Sequence, residues 1–579
     1  MAAHPTGNPP DQPAGETEAE EESESPTSSV AHRVFWPSAV VILLFVLYAV
    51  LFPHSAASAV TTVQDHIIGY LGWYYQAIVS LFVIFSIWVG VSRFGDIKLG
   101  RDEEEPEFGL LSWLSMLFAA GMGIGLVFWG VAEPLTFYDE PKPGIGESSA
   151  ARSEFAMRQT FLHWGVHPWA IYAVVGLAVA YAIHRRGRPV SIRWTLEPLI
   201  GERVKGGWGD LIDVIAIIGT LFGVATSLGF GVMQVSAGME YSGWVDSTGE
   251  GLQVLLIVVI TLIAIGSVVS GLGRGIRLLS NVNITIAALL MIFVLVTGPT
   301  EFIFNTLVQS IGNYLQNFLQ MSFDTGVNYG SEGTGWVRQW TLFYWGWWIS
   351  WVPFVGIFIA RISRGRTVRE FIAGVLLVPT VVTFLWYSAL GGSALWEEIF
   401  GSGNLTEGGV NTDAALFQLL HNLPWTGFVS GVTILLIVLF FVTSSDSGSF
   451  VVDMLASGGD QNPPIWSRVF WSVAEGAVAI ALLLAGGAGS DSLTTLQTTA
   501  IIIALPFSVI MLIMCVATLR CLRAEHRAYE AARRREMAQR LVHHTVNALE
   551  ENRQDEAAGR TRAWGEYPRG SRRLPWRRR

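Results

Sequence analysis

The most constraining feature of this sequence is a series of apolar runs, each close to the about 20 residues that an α-helix needs to cross a bilayer. They lie near residues 35–53, 74–92, 109–130, 160–183, 210–232, 252–272, 282–298, 340–360, 370–391, 425–443, 469–487 and 498–519. With 51% hydrophobic and only 15% charged residues, the chain is too apolar for a soluble globular protein. The runs predict an all-α polytopic membrane protein, with twelve transmembrane helices as the simplest count.

Basic residues mark alternate connections between these runs. Arginines and lysines follow the second, fourth, sixth and eighth runs, whereas neither occurs in 54–73, 241–251, 299–336, 392–424 and 488–497. Because basic residues resist translocation, the first set is predicted to be cytoplasmic. An even number of spans then places both termini in the cytoplasm. The acidic stretch before the first run also differs from the basic start of a cleavable signal peptide.

The two ends of the chain differ from the apolar middle. Residues 1–30 are acidic and rich in Pro, Gly and Ser, and we expect them to be disordered because they cannot bury enough apolar surface. Residues 523–579 are Arg-rich, and the helix formers at 520–552 predict a helix that continues beyond the last span. Basic residues near the membrane attract anionic lipids, and salt screens that attraction. The tail is therefore either an orientation signal or a sensor of osmotic stress.

One predicted span carries aromatic side chains at mid-membrane depth. In WTLFYWGWWISWVPFVGIF, at 340–358, one helical face carries Trp340, Tyr344, Trp347, Trp348 and Trp351. Rings that only anchor a span gather at its ends, but this stripe rises about 16 Å along the helix. Stacked indoles without a neighbouring acid suit a ligand with a fixed cation, such as a quaternary ammonium. The alternative is an aromatic face that packs against neighbouring helices.

Glycines interrupt the third run. Gly121, Gly123 and Gly125 occupy alternate positions, and each weakens a helix by up to about 1 kcal/mol relative to Ala. They predict an unwound segment whose free N–H groups can meet an anionic group. The alternative is close helix packing, since Gly121 and Gly125 also form a small-xxx-small pair.

The fourth run supplies a second group of rings. HWGVHPWAIY contains Trp164, Trp169 and Tyr172 around Pro168, where we expect a kink. A single group of this kind is more often part of a core than of a site.

The tenth run ends in hydroxyl side chains, and no pattern in the chain points to catalysis. Thr443 and Ser444 are hard oxygen donors suited to a small cation, although such hydroxyls often bond back to their own helix. The only cysteines, Cys515 and Cys521, are too few for a disulfide framework. We find no nucleophile with a base, no phosphate-binding loop and no support for nucleic acid binding. The sequence therefore predicts neither an enzyme nor a redox protein.

Three segments resemble the betaine/carnitine/choline transporter family. They are GMGIGLVFWGVAEPLTFY at 121–138, HWGVHPWAIYAVVGLAVAY at 163–181 and FYWGWWISWVPFVGIFIARISRGRTVREF at 343–371, within a resemblance that covers about 35–520. The resemblance implies a LeuT-like fold in which two inverted five-helix repeats hold the substrate at mid-membrane. It divides the chain into two peripheral helices at 31–108, a first repeat at 109–298, an extracellular connection at 299–336, a second repeat at 337–522 and a cytoplasmic tail at 523–579.

The resemblance also implies roles for the residues described above. The aromatic box for a trimethylammonium group would consist of Trp164, Trp169, Tyr172 and Trp348. Trp347 and Trp351 would contact substrate in the inward-facing state. The broken helix would meet the substrate carboxylate at Gly121, Gly123 and Gly125.

Sodium is the coupling ion that the resemblance implies, with no other cofactor. The main site would use backbone carbonyls and hydroxyls of Ala119, Met122, Phe440, Thr443 and Ser444. A second sodium site in relatives pairs two hydroxyl residues with an aromatic face, which matches Thr220 and Phe354. The second hydroxyl position is Val224 here, which weakens the expectation of two sodium ions, although Thr226 and Ser227 are nearby.

These features lead to a prediction of function. Proton-coupled choline carriers of the family have an aspartate where this chain has Gly125, so we expect a zwitterion such as glycine betaine, imported with sodium. The predicted setting is a homotrimer in a bacterial cell membrane, in contact with anionic lipids and active in osmotic stress. The alternatives are proton-coupled choline transport, transport of ectoine or proline, and a membrane receptor or osmosensor that does not transport.

Overall fold

The computed structural model describes residues 30–121, 123–269, 273–487 and 490–559. The segment 1–30 that we expect to be disordered lies outside the described residues except for Val30, and so does 560–579 of the Arg-rich tail. The described chain is helical, and its one β-bridge joins Lys98 to Thr367.

The helices of the described residues follow one another with short connections. In the first half of the chain they are α1 His32–Leu51, α2 Pro53–Val91, α3 Leu110–Gly121, α4 Ile124–Asp139, α5 Ser149–Trp164, α6 Val166–Ala180, α7 Glu197–Ile200, α8 Gly207–Tyr241 and α9 Glu250–Val269. In the second half they are α10 Gly273–Thr297, α11 Thr300–Ser322, α12 Gly330–Gln339, α13 Thr341–Arg361, α14 Val368–Phe400, α15 Ala415–His421, α16 Thr426–Ala456, α17 Ile465–Gly486 and α18 Ser490–Ala557.

Eleven helical segments of the described chain are long and apolar enough to cross a membrane. The predicted third run is interrupted: α3 ends at Gly121, Gly123 is extended with φ −151° and ψ −175°, and α4 begins at Ile124. Its two halves have 12 and 16 residues, so neither spans a bilayer alone. The protein is a multi-pass membrane protein. The count of twelve spans and the inverted repeats stay predictions.

The predicted connection 299–336 is itself largely helical. It contains α11 and most of α12, and α11 packs against α5 and α14. The Trp336 indole donates to the backbone carbonyl of Glu140 at 3.1 Å, which ties this connection to the end of α4.

Helix α13, which carries the tryptophan stripe, lies inside the bundle. Its residues 341–357 are all buried. Neighbouring backbones approach it closely, since a Cβ at Gly346 would lie 2.7 Å from Ile501 Cα, and one at Gly223 would lie 3.0 Å from the Trp351 nitrogen. A helix that is apolar on every side belongs at the centre of its fold. The stripe therefore faces other protein segments rather than lipid.

Three of the connections rich in basic residues, those after α2, α6 and α13, meet at one end of the bundle. The Leu99 nitrogen donates to the Arg366 carbonyl at 2.8 Å, which joins the connection after α2 to the one after α13. Arg185, just beyond α6, donates to the Gly100 carbonyl at 2.6 Å and forms an ion pair with Glu525 of α18. These contacts agree with the placement of the basic connections on one side of the membrane. The prediction that this side is cytoplasmic is not tested by them.

Helix α18 continues far beyond the last apolar run, in agreement with the helix predicted at 520–552. It has 68 residues and ends at Ala557. Leu522 is fully buried against the bundle, whereas Leu541 is 70% exposed. The distal part of α18 thus extends away from the membrane-spanning core.

Candidate functional site

The helix that carries the second aromatic group is interrupted at Gly165, rather than kinked at Pro168 as the sequence predicted. Pro168 is tolerated in the first turn of α6, but it has no N–H to donate to the Trp164 carbonyl. Thr383 Oγ1 donates to that carbonyl instead, at 3.1 Å. A Cβ at Gly165 would lie 2.4 Å from the Phe161 carbonyl oxygen, so a side chain does not fit there. The break places Trp164 at the very end of α5.

The predicted box residues contact one another through their rings. Trp348 meets Trp164 edge to face, with ring centroids 4.8 Å apart and planes at 73°. The ring centroids of Trp348 and Tyr172 are 6.3 Å apart, and those of Tyr172 and Trp169 are 5.4 Å apart. Each of the four side chains is at most 6% exposed. We call these four residues the aromatic cluster; α5, α6 and α13 supply them.

The glycine break of α3 and α4 packs directly against this cluster. A Cβ at Gly125 would lie 2.5 Å from Cη2 of Trp347 and 3.1 Å from Cη2 of Trp164. The Trp347 ring in turn stacks on Trp348, with centroids 4.5 Å apart and planes at 16°. The structure therefore brings the first two predicted groups of rings and the predicted glycine break into one place.

The glycine break also leaves room for a ligand. A Cβ at Gly123 would have no atom within 4 Å, and the Gly123 carbonyl accepts a hydrogen bond from the Leu126 nitrogen at 3.1 Å as α4 begins. Gly121 is the last residue of α3. The extended backbone at Gly123 and the start of α4 form the geometry in which helix N–H groups can face an anion.

Most of the predicted sodium ligands line a cavity of about 380 Å³. The cavity lies between α3, α10, α13 and α16, and its lining includes Trp351, Phe354, Phe440, Thr443 and Ser444. Trp347 does not line this cavity. Of the other two predicted ligands of the main sodium site, Ala119 belongs to α3, and Met122 lies outside the described residues.

The hydroxyl of Thr443 bonds back to its own helix. It donates to the Leu439 carbonyl at 2.9 Å, which is the alternative that the sequence left open. A hydroxyl that donates still has lone pairs to offer a cation, so this bond and a role as a ligand are compatible.

The second predicted sodium site is incomplete in its oxygen donors. Thr220 Oγ1 donates to the Ala216 carbonyl at 2.8 Å on the same helix. Phe354 is on α13 and lines the cavity. A Cβ at Gly448 would lie 2.9 Å from Cγ2 of Val224, so the Val224 position faces α16 with a methyl group instead of a hydroxyl.

Comparison with known proteins identifies the family. The sequence model of the betaine/carnitine/choline family transporters, BCCT, matches residues 33–527. This chain belongs to the BCCT family. It is therefore a membrane transporter rather than an enzyme, and the sequence resemblance is confirmed.

Individual relatives cover most of the chain. A glycine betaine transporter of Bacillus subtilis is 45% identical over 86% of this chain and 96% of its own length. A glycine betaine transporter of Vibrio parahaemolyticus is 42% identical over 86% of this chain and 94% of its own. An uncharacterized transporter of Mycobacterium tuberculosis is 50% identical over 84% of this chain and 82% of its own length.

Two polar residues of this BCCT site were not predicted from the sequence. Asn283 of α10 is buried, lines the cavity and brings its side-chain amide within 3.4 Å of Thr443 Oγ1. Glu133 of α4 is fully buried and hydrogen-bonded to Trp164 and Tyr344, which corrects the expectation that the stripe has no neighbouring acid. The available signal was a lone carboxylate beside an apolar run, which in a membrane protein indicates a functional site.

Proposed function

We propose that this BCCT transporter imports glycine betaine, or a similar quaternary ammonium compatible solute, together with sodium. The observation that carries the proposal is the packing of Trp164 and Trp348 against each other, with Trp164 also next to the glycine break at Gly125. Indole faces attract a cation that has no hydrogen-bond donors, and backbone N–H groups at a helix break attract a carboxylate. A betaine carries both groups a few bonds apart.

The position of the cavity supports a mechanism of alternating access. The cavity reaches Trp351, whose ring lies 6.4 Å from that of Trp347, and Trp347 stacks on Trp348. The aromatic cluster is buried, whereas the cavity reaches Phe358, close to Arg361 at the end of α13. Substrate would leave the cluster along this line of rings, with Trp351 as its contact on the exit side.

Sodium coupling rests on the shared use of one broken helix. The sodium site would take carbonyl oxygens from the end of α3 and oxygen atoms from Phe440, Thr443 and Ser444 on α16, which line the same cavity. The substrate carboxylate would bind at the glycine break just beyond. Because both ligands hold the same segment, binding of sodium would order the site for the substrate, as in broken-helix transporters generally.

The choice of substrate rests on Gly125 and on the relatives. Two relatives that match most of the chain are named glycine betaine transporters. Residue 125 contributes no carboxylate that could neutralise a substrate lacking its own, as choline does. We extend the proposal to a homotrimer in a bacterial cell membrane whose Arg-rich tail contacts anionic lipids during osmotic stress.

One uptake experiment tests the proposal. The purified transporter is reconstituted into proteoliposomes, and uptake of labelled glycine betaine, choline, ectoine and proline is measured under an inward sodium or an inward proton gradient. We expect uptake of glycine betaine that depends on sodium. Choline uptake driven by protons would refute sodium coupling, and preferred uptake of ectoine or proline would refute the substrate. Binding of betaine without counterflow would indicate a receptor or osmosensor.

A further inference from the structure

A fully buried carboxyl group lies directly behind the aromatic cluster. The side chain of Glu133, on α4, is not exposed at all. An acid in an apolar interior is costly unless its oxygens are satisfied, and such acids in membrane proteins are rare and functional. Its bonding partners therefore indicate what it does.

Three side chains from two other helices surround this carboxyl group. Oε2 accepts hydrogen bonds from the Trp164 indole nitrogen at 2.6 Å and from the Tyr344 hydroxyl at 2.5 Å. Oε1 lies 2.7 Å from Nδ1 of His163. With both oxygens engaged in this way, Glu133 is not free to bind a substrate cation directly, so its effect must pass through its neighbours.

The neighbours of Glu133 are themselves held in place. The His163 ring stacks on Tyr344 with centroids 4.4 Å apart, and its Nε2 lies 3.1 Å from Thr341 Oγ1. The His163 backbone carbonyl accepts a hydrogen bond from the Trp348 indole at 3.0 Å. The indole nitrogens of both Trp164 and Trp348 are thus anchored to one buried polar network.

The bond from Trp164 to Glu133 fixes the direction in which the ring faces. An indole has a single N–H donor, so one strong bond at that atom fixes the orientation of the whole plane. The bond is short, at 2.6 Å, and a hydrogen bond inside a protein is stronger than the same bond in water.

We propose that Glu133 is a positioning residue that orients Trp164 for the quaternary ammonium group of the substrate. This inference rests on the proposed function, in which Trp164 belongs to the substrate box. Tyr344, which donates to the same oxygen, supports the carboxylate rather than the substrate.

The test compares Glu133→Leu, Trp164→Phe and the double variant in proteoliposomes. Leucine has no oxygen to accept from the Trp164 indole, so Glu133→Leu leaves a buried N–H unpaired, and we expect it to raise the KM for glycine betaine about tenfold, with Vmax changed less than about twofold. Trp164→Phe keeps an aromatic face but lacks the N–H, so the double variant should differ from Trp164→Phe alone by less than about threefold. Glu301→Leu, which replaces an exposed acid in the first turn of α11, is the matched control.

Two outcomes would overturn the inference. One is an unchanged KM in Glu133→Leu. The other is a double variant whose KM rises by the product of the two single effects, which would mean that Glu133 acts independently of Trp164. If Glu133→Leu does not reach the membrane, Tyr344→Phe decides: we expect a KM increase of about threefold, and no increase contradicts the positioning role.

The same experiment separates this inference from the proposed function. If the wild-type protein does not transport glycine betaine, the proposed function fails. If Trp348→Leu weakens betaine affinity while Glu133→Leu does not, the proposed function stands and only the role of Glu133 is wrong.

Discussion

Gly125 gives the sharpest test of the site, because one added methyl group would collide with two aromatic rings. A Cβ at residue 125 would lie 2.5 Å from Cη2 of Trp347 and 3.1 Å from Cη2 of Trp164. Ordinary contacts between carbon atoms are about 3.5 to 4.0 Å, so the Trp347 ring has to retreat by about 1 Å. Trp347 is only 1% exposed and stacks on Trp348, so its displacement is transmitted to the aromatic cluster.

The size of the effect follows from this crowding. Overpacking a dense core costs roughly 1 to 3 kcal/mol. If that strain distorts the box, it appears as a loss of apparent affinity of about 5- to 150-fold. Alanine favours the α4 helix over glycine by about 1 kcal/mol, which offsets part of the loss in folding stability. We therefore expect Gly125→Ala to insert and fold, with a KM for glycine betaine raised at least about fivefold.

The assay is the initial rate of labelled betaine uptake into proteoliposomes under an inward sodium gradient, normalised to the amount of inserted protein. Gly312→Ala on α11 is the matched control, because a Cβ there has no atom within 4 Å and should leave KM unchanged. A KM for Gly125→Ala equal to that of the wild type would refute the reasoning that residue 125 packs against the substrate site. A KM raised equally in Gly312→Ala would refute it too, because the effect would then not be local.

Three further predictions test the other parts of the site. Trp348→Leu should lose a cation–π contribution of roughly 1 to 2 kcal/mol, which raises the Kd for betaine, measured by binding, about tenfold. Trp348→Phe should raise this Kd less. A Kd for Trp348→Leu equal to that of the wild type would remove Trp348 from the box. Replacing Thr443 and Ser444 together by Ala should abolish the sodium dependence of uptake, and sodium-driven uptake that persists would rule out this site. Deleting residues 531–579 keeps the ion pair of Glu525 and removes the exposed part of α18. We expect the uptake activity of this variant no longer to rise with osmolality. An unaltered osmotic response would exclude a sensor in that segment.

The sequence anticipated the helix interruption at 121–125 and the aromatic positions, because both are local properties. A helix needs backbone hydrogen bonds at successive residues, and Gly121, Gly123 and Gly125 weaken three positions in one turn and a half. The position of the second interruption was harder to predict. The sequence predicts a kink at Pro168, but the helix is interrupted at Gly165. The reason is that Pro168 has no N–H to donate to the carbonyl four residues earlier, which belongs to Trp164.

Glu133 shows why part of the site could not be predicted from the sequence. Its partners Trp164 and Tyr344 are on other helices, far along the chain, and no periodicity within one run indicates that they converge on one carboxyl group. An acid beside an apolar run signals function, but its partners depend on how the helices pack. The same limit applies to Asn283, which comes close to Thr443 only through the contact of α10 with α16.

The sequence by itself determined that this chain crosses the membrane many times, where its third run breaks, and which residues of α13 share one face. These follow from apolar length, backbone propensity and the helical repeat, all of which act within a single segment. Tertiary structure alone decided which rings meet, that Gly125 lies under Trp347, and that the indole of Trp164 is fixed by Glu133. The physical reason is that a helix specifies the direction of each side chain, whereas contacts between helices depend on close packing of segments that lie far apart in sequence.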